Sequence, residues 1–314
     1  MKLSKEEKLV AYIANPYLDY YPDVEIDKIP LEFIEKNKLS LLLLEKGLET
    51  EIGRKYAKLR ERMLRELCEL THEFEKVNID FVVIKFPELP RTHGDMDILI
   101  ANGLECVEDV LRGEGYELWE EDEPQREGYR KKNDEMLLKI DIHTEGSWGG
   151  IKYLIKEDIW ENRVKREING VEVPFPSPEY EFLITAAHGM RENVVTLFDV
   201  FYVNFLFKKG INMEFVKAVA KENNWLKQLF YFSRAIYDVH RELYDEELEF
   251  LSDVSRIKPL KIDRLPFHFP FGIATSLKVE KALLDLKTQG FKDFAFDISA
   301  YLQDLRWIKR AFTR

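Results

Sequence analysis

Two short segments of the 314-residue chain have one apolar face, and both carry aspartate on the opposite face. In DMDILI (95–100), Asp95 and Asp97 fall on one face of an extended strand. In LLKIDIH (137–143), Asp141 and His143 share the polar face. If the two strands are neighbours in a sheet, three carboxylates converge on one patch. The sequence therefore predicts a carboxylate cluster on one face of a sheet whose other face is apolar.

Helical and extended patterns alternate around these strands. A run from about Glu51 to Val77 repeats apolar residues at helical spacing. IDFVVIK (79–85) is a short β-branched run followed by prolines, which predicts a buried strand. GLECVEDVLRGEGY (103–116) has helical periodicity, and GYRKK (128–132) predicts a further strand. This order predicts an α+β fold with a small mixed β-sheet.

The long helical patterns at both ends of the chain divide it into three segments. We expect an N-terminal helical segment (1–52), an α/β domain (53–175) and a C-terminal helical domain (176–314). PFPSP (174–178) marks the second boundary. The segments that follow it have helical periodicity, and the last fifty residues resemble them. The small mixed sheet would therefore be flanked by helices on both sides in sequence.

The charge of the chain limits the classes of partner. The net charge of −11 argues against a protein that coats nucleic acid through bulk electrostatics. Basic runs lie at 54–66, 161–167 and 304–314, but each is more simply the solvated face of a helix or a loop. Charged residues make up 33% of the chain and favour Lys and Glu, as in thermophilic proteins.

Cysteine usage and hydropathy predict a cytoplasmic protein. Cys68 and Cys106 lack metal-ligand spacing, so neither a disulfide framework nor a structural zinc site is expected, and both should act as small core residues. The apolar stretch near the N-terminus is too short and interrupted for a signal peptide. No apolar run approaches the ~18–20 residues of a membrane span, so we expect no membrane association.

Three converging carboxylates would repel one another unless cations neutralised them. Carboxylate oxygens suit Mg²⁺, which commonly binds one or two carboxylates together with substrate phosphates. A pair of such ions about 3.5–4 Å apart can clamp an in-line displacement at phosphorus. Asp95, Asp97 and Asp141 have the residue type and facing for this chemistry. Turn or solvent-facing strand positions are the alternative for each of them.

The same segments resemble a known superfamily. The run from VVIK (82–85) through RTHGDMDILI (91–100) to LLKIDIH (137–143) is similar to the nucleotidyltransferase superfamily of DNA polymerase β. It most resembles an uncharacterised microbial branch with a strand-end Lys, an Arg-x-x-Gly-Asp-x-Asp motif, a later Asp-x-His strand and a helical tail carrying a His. The matching positions, within about residues 55–200, are Lys85, Arg91, Gly94, Asp95, Asp97, Asp141, His143 and His188.

The resemblance implies a mixed-sheet palm, two Mg²⁺ ions with Mn²⁺ as a substitute, and attack of a hydroxyl on the α-phosphate of a nucleoside triphosphate. Asp95 and Asp97 would hold both metals, and Asp141 would complete one metal site and help activate the nucleophile. Candidates for nucleotide or phosphate binding are Lys85, Arg91 and His143, and candidates for the acceptor site are His188 and Arg191. The acceptor could be RNA, a protein hydroxyl or a small molecule.

The end of the first strand departs from the superfamily pattern. Well-studied members carry a Gly-Ser pair that grips the triphosphate, whereas this sequence reads KFPELP (85–90). Either Lys85 or Arg91 supplies charge instead, or the protein is a catalytically idle member that binds a nucleotide or a partner. A kinase is a further alternative, because HGD (93–95) resembles a kinase catalytic loop. In a kinase, the lysine and the catalytic loop lie in different lobes. Lys85 and Asp95 are only ten positions apart, which is too short a separation to join two lobes.

Overall fold

The computed structural model describes most of the chain. The described residues are 2–18, 30–123, 125–131, 138–148, 151–246, 248, 254 and 257–288. The basic run at 304–314 therefore lies outside the described residues. The helical prediction for the last fifty residues is described only as far as residue 288, where a helix is present.

A five-stranded sheet forms the centre of the described structure, in the order β1-β2-β5-β4-β3. Strands β2 and β5 run parallel, and the other neighbouring pairs are antiparallel. The strands are β1 (Asp80–Ile84), β2 (Asp95–Asn102), β3 (Tyr116–Glu123), β4 (Arg126–Lys131) and β5 (Lys139–His143). The predicted α+β architecture with a small mixed sheet is confirmed. The sequence does not predict β3, because its acidic residues hide the alternation of apolar and polar side chains.

Helices pack on both faces of this sheet. Those of the described ranges are α1 (Lys5–Ala14), α2 (Leu31–Lys36), α3 (Ser40–Glu45), α4 (Glu51–Lys76), α5 (Leu104–Gly113), α6 (Lys156–Glu161), α7 (Pro178–Glu192), α8 (Leu197–Lys208), α9 (Met213–Glu222), α10 (Leu226–Tyr244) and α11 (Phe271–Thr288). Thr50 caps the long helix α4, and Thr196 forms a reciprocal cap with Asp199 at the start of α8. Among the described helices, none combines the length and apolar character needed to cross a bilayer.

Short antiparallel pairs complete the described structure. They are β6 (Gly146–Trp148) with β7 (Ile151–Leu154), β8 (Arg163–Ile168) with β9 (Val171–Pro176), and β10 (Val194–Val195) with β11 (Phe267–His268). The expectation of a helix face or loop at 161–167 is wrong, because most of that run is β8. Asn169 and Gly170 both have left-handed backbone angles, with φ +49° and +82°, and turn the chain into β9. Asn-Gly between extended segments is a strong hairpin signal that the charge pattern concealed.

Replacing Gly170 with alanine is expected to lower the free energy of unfolding by about 1 kcal/mol, because a Cβ is disfavoured at this φ. Steric contact is not the cause, since no atom lies within 4 Å of the added Cβ. Gly113→Ala is the matched control, because Gly113 is equally open but has a helical backbone. That variant should be as stable as the wild type or more stable. Urea denaturation measures the free energy of unfolding of both variants. An equal decrease in the two variants would contradict the backbone explanation.

Two hydrophobic cores lie on opposite faces of the sheet. On one face, alternate strand residues pack against α4, whose predicted apolar positions are buried: Leu59, Met63, Leu67 and Leu70. On the other face, Val82, Ile84 and Leu99 pack with α1–α3 and α7–α10. Both cysteines are free and partly buried, and Cys106 packs against the α4 core. The polar face of β2 therefore points towards the second core, between the sheet and the helices.

This second core takes residues from all three predicted segments of the chain. The division at residues 52 and 175 itself stays a prediction. Helices α1 and α10 are joined by reciprocal hydrogen bonds: the Tyr12 hydroxyl donates to the Leu243 carbonyl (3.0 Å), and the Tyr244 hydroxyl donates to the Ala11 carbonyl (3.1 Å). The two tyrosine rings also meet edge to face, 5.3 Å apart. The helices before and after the sheet thus form one packed layer.

Candidate active site

The register of two parallel strands brings the three aspartates together. Asp97 on β2 lies directly opposite Asp141 on β5, and Asp95 is the first residue of β2. One carboxylate oxygen from each lies within 4.8 Å of the other two. Asp97 and Asp141 are only 4% and 1% exposed, whereas the Asp95 side chain is 43% exposed. The predicted carboxylate cluster is present, with one member open to solvent.

Two neighbouring groups stabilise the negative charge of Asp97. Its Oδ1 forms an ion pair with the Lys85 ammonium and a hydrogen bond with His143 Nε2 at 2.7 Å. Burial favours the protonated acid, but Lys85 and then His143 outweigh burial and hold the pKa of Asp97 well below its ordinary value. Asp97 is therefore a carboxylate, and His143 orients it from the same face of the sheet.

Asp141 lies in the opposite electrostatic situation. Burial and the nearby Asp97 charge raise its pKa, and the cations Arg126 and Lys139 offset only part of the effect. Arg126 Nη1 lies 3.5 Å from Oδ2, and Lys139 Nζ lies 3.2 Å from Oδ1. Among the described residues, no donor has hydrogen-bond geometry to the buried Oδ1. A buried carboxylate oxygen that accepts no hydrogen bond and lies beside two further carboxylates suits binding of a hard divalent cation.

A cavity of about 240 Å³ lies beside the carboxylates. Its lining combines the acidic residues with a larger number of basic ones: Lys38, Lys85, Arg91, Thr92, His93, Asp95, Asp97 and His188. Lys85 follows β1 with a left-handed backbone (φ +56°), which turns its side chain towards Asp97. The Arg91 guanidinium lies over the Phe198 ring, 5.8 Å from its centroid. The cavity thus presents carboxylates and cationic groups to the same space.

The two histidines of the cavity are neutral. His93 Nδ1 hydrogen-bonds with the Asp95 backbone carbonyl at 2.7 Å, and burial lowers the pKa of His93 to about 4. Burial, followed by the charges of Lys85 and Lys38, places the pKa of His188 well below its ordinary value. Sequence reasoning missed His93, although it stands within the Arg-x-x-Gly-Asp-x-Asp run. Arg191 forms an ion pair with Glu192 and lies outside the lining of this cavity.

A family described as uncharacterised nucleotidyltransferase matches residues 49–241. The chain belongs to this family. The matched part contains all five strands of the central sheet and the three clustered aspartates. Nucleotidyl transfer is therefore the general activity of the protein.

A solved structure is also similar to this chain. An antigenic nucleotidyltransferase-like protein from Paracoccidioides brasiliensis is similar over 64% of this chain and 95% of its own, with 13% sequence identity and a TM-score of 0.40. No curated protein matches the chain.

Lys38 is the residue of the nucleotidyltransferase site that sequence reasoning missed most completely. It reaches the cavity from the turn between α2 and α3 and lies outside the matched residues. Burial and the nearby Arg91 lower the pKa of Lys38 to about 8, against the opposing charges of Asp199 and Asp95. Its surroundings, EKNKLS (35–40), have no feature that marks a binding residue. Only the packing of α2 and α3 on α8 brings this lysine to the site.

Proposed function

We propose that this nucleotidyltransferase moves a nucleoside monophosphate from a nucleoside triphosphate to an acceptor hydroxyl in a Mg²⁺-dependent reaction. The observation that carries the proposal is the group of three carboxylates within 4.8 Å, beside a cavity that also holds Lys38, Lys85 and Arg91. Carboxylates suit divalent cations, and Lys and Arg suit phosphate oxygens. The family membership supports the same reaction class.

The metal-binding part of the proposal assigns Asp95 and Asp97 to both ions and Asp141 to one. The buried Asp141 Oδ1, which faces the Lys139 ammonium at 3.2 Å but accepts no hydrogen bond from the described residues, supports this assignment. When bound, Mg²⁺ or Mn²⁺ would lower the pKa of the acceptor hydroxyl and neutralise charge on the departing pyrophosphate. His143 would keep Asp97 in a fixed orientation, as groups behind metal-binding carboxylates commonly do.

The chemical step exchanges one phosphorus–oxygen bond for another. The acceptor oxygen bonds to the α-phosphorus as the bond from that phosphorus to the bridging oxygen of the β-phosphate breaks, and pyrophosphate leaves. The hydroxyl proton would pass to Asp141, whose carboxylate lies beside the reacting group. Lys85 and Arg91 would hold the phosphate oxygens in place of the absent Gly-Ser pair. RNA, a protein hydroxyl and a small molecule are the candidate acceptors, and His188, which lines the cavity, and Arg191, which lies outside its lining, are the residues proposed to contact them.

A transfer assay with two labels tests the reaction class. The protein is incubated with Mg²⁺, a cell extract as acceptor pool, and each nucleoside triphosphate labelled at either the α- or the γ-phosphate. We expect transfer of the α label, and its loss in the Asp95→Asn/Asp97→Asn variant. Asp109→Asn, on the exposed side of α5, is the matched control and should transfer normally. Transfer of the γ label alone would instead identify a kinase.

One observation favours a second candidate, an idle member that binds nucleotide without turnover. Lys85 pairs with Asp97 and stands where well-studied superfamily members carry the Gly-Ser pair. An idle member would show a Mg²⁺-dependent rise in melting temperature with nucleoside triphosphates but no transfer of either label. Transfer of the α label by the wild type would eliminate this candidate.

A further inference from the structure

The backbone conformations of the described residues single out two lysines. Seven non-glycine residues among them have a left-handed φ, and five are asparagine or aspartate, which tolerate this conformation: Asn78, Asn169, Asn193, Asn224 and Asp245. The other two are Lys38 (φ +60°) and Lys85 (φ +56°). Both line the cavity beside the carboxylates. Unfavourable backbone conformations that persist at one site are typical of functional positions.

Lys38 occupies a position where glycine is the usual residue. At the end of α2, the Leu39 N–H donates to the Ile34 carbonyl and the Lys38 N–H to the Glu35 carbonyl, both at 3.0 Å. This pair of bonds is the Schellman motif, and Lys38 is its left-handed residue. Asn78 holds the same position at the end of α4, with bonds of 2.9 and 3.3 Å. Helix termination alone therefore gives no reason for a lysine at position 38.

The turn that carries Lys38 is fixed to the start of α8. Asn37 is fully buried, and its Oδ1 accepts a hydrogen bond from the Leu197 N–H at 3.0 Å. The Asn37 carbonyl accepts another from the Phe198 N–H at 3.3 Å. Phe198 is also the ring beneath the Arg91 guanidinium. The turn that carries Lys38 and the guanidinium of Arg91 therefore both contact the start of α8.

We propose that the Lys38 ammonium binds the β- and γ-phosphates of the nucleoside triphosphate, together with Arg91. This inference rests on the proposed function. In that function the α-phosphate lies at Asp95, Asp97 and Asp141, and the cations of the adjoining cavity are the groups that suit the remaining phosphates. Two cations held close together in a partly buried cavity repel each other, and a polyphosphate between them removes the repulsion. Lys38 thus adds, from outside the family-matched residues, a phosphate contact to those proposed for Lys85 and Arg91.

The test compares triphosphate with monophosphate binding in the full chain. Each of ATP, CTP, GTP and UTP is titrated with Mg²⁺ by calorimetry, and the tightest is compared with its own monophosphate. For Lys38→Gly we expect the triphosphate Kd to rise roughly 10- to 100-fold, because a charged hydrogen bond is lost. The monophosphate Kd should stay close to that of the wild type. The melting temperature should be unchanged or higher, because glycine suits the left-handed position.

Two control variants separate charge and backbone effects. Lys36→Met removes a charge from the same helix at an exposed position, where the lysine pairs with Glu32. Asn78→Gly places glycine in the matching turn of α4. Both should bind triphosphate as the wild type does. A wild type that binds no triphosphate would overturn the proposed function, and this inference with it. Wild-type binding that Lys38→Gly retains at full strength would overturn this inference alone.

Discussion

Changing Asp97 to asparagine is expected to lower the rate of nucleotidyl transfer by roughly 10³-fold or more. The amide keeps the size of the carboxylate but removes the charge that Lys85 and His143 face and that a divalent cation would need. The initial rate of α-label transfer at saturating triphosphate measures the effect. Retention of a tenth of the wild-type rate would contradict a metal-binding role for Asp97.

The double variant sharpens this prediction. If Asp95 and Asp97 hold the same ions, removing either one disables the site. Losses from residues that act as a unit do not add, so the double Asn variant should be no slower than Asp97→Asn alone. The control Asp109→Asn should keep the wild-type rate. If the rate losses of the two single variants multiply in the double variant, the two aspartates act independently.

Changing Asp141 to asparagine is expected to abolish transfer and yet raise the melting temperature of the metal-free protein. Burial and Asp97 raise the pKa of Asp141, so the folded protein binds this proton more tightly than the unfolded chain does. At pH 7 the ionised carboxylate therefore lowers the free energy of unfolding. This penalty is complete above the folded pKa and disappears below the unfolded value of about 3.9.

Two measurements separate this explanation from a general packing effect. The gain in melting temperature from Asp141→Asn should shrink as the pH is lowered towards 4, because protonation removes the same penalty. Mg²⁺ should raise the melting temperature of the wild type more than that of the variant, since the variant lacks the charge that the ion neutralises. A lower melting temperature for Asp141→Asn in chelator at pH 7 would contradict the prediction.

The carboxylate cluster was predictable because it depends on a local rule. Side chains of a strand alternate between faces, so Asp95 and Asp97 share a face wherever DMDILI is extended. The same rule applies to Asp141 and His143. Burial of both apolar faces in one core then puts these four side chains on the same side of the sheet. The parallel pairing of β2 with β5, which brings them together, depends on the whole fold and does not follow from the strand patterns alone.

The basic side of the site could not be predicted in the same way. Lys38 reaches the cavity only because Asn37 bonds to the start of α8, about 160 positions later in the chain. Lys85 turns towards Asp97 only because it adopts a backbone conformation that lysine normally avoids. At both positions, the backbone preference of lysine disfavours the left-handed conformation that the structure has. Disagreement between propensity and structure is concentrated at the cavity, as expected where function opposes stability.

The reciprocal hydrogen bonds of Tyr12 and Tyr244 have a consequence for the order of events during synthesis. They connect residues 231 and 233 positions apart, so α1, which also packs against α3, lacks its contacts with α10 until α10 has left the ribosome. Contacts at such separation slow folding, because a long loop must close before they form. The sheet and α4 can pack early, but the helical layer that carries Lys38 closes late. Nascent chains should therefore hold the three aspartates on a formed sheet before they acquire the phosphate side of the cavity.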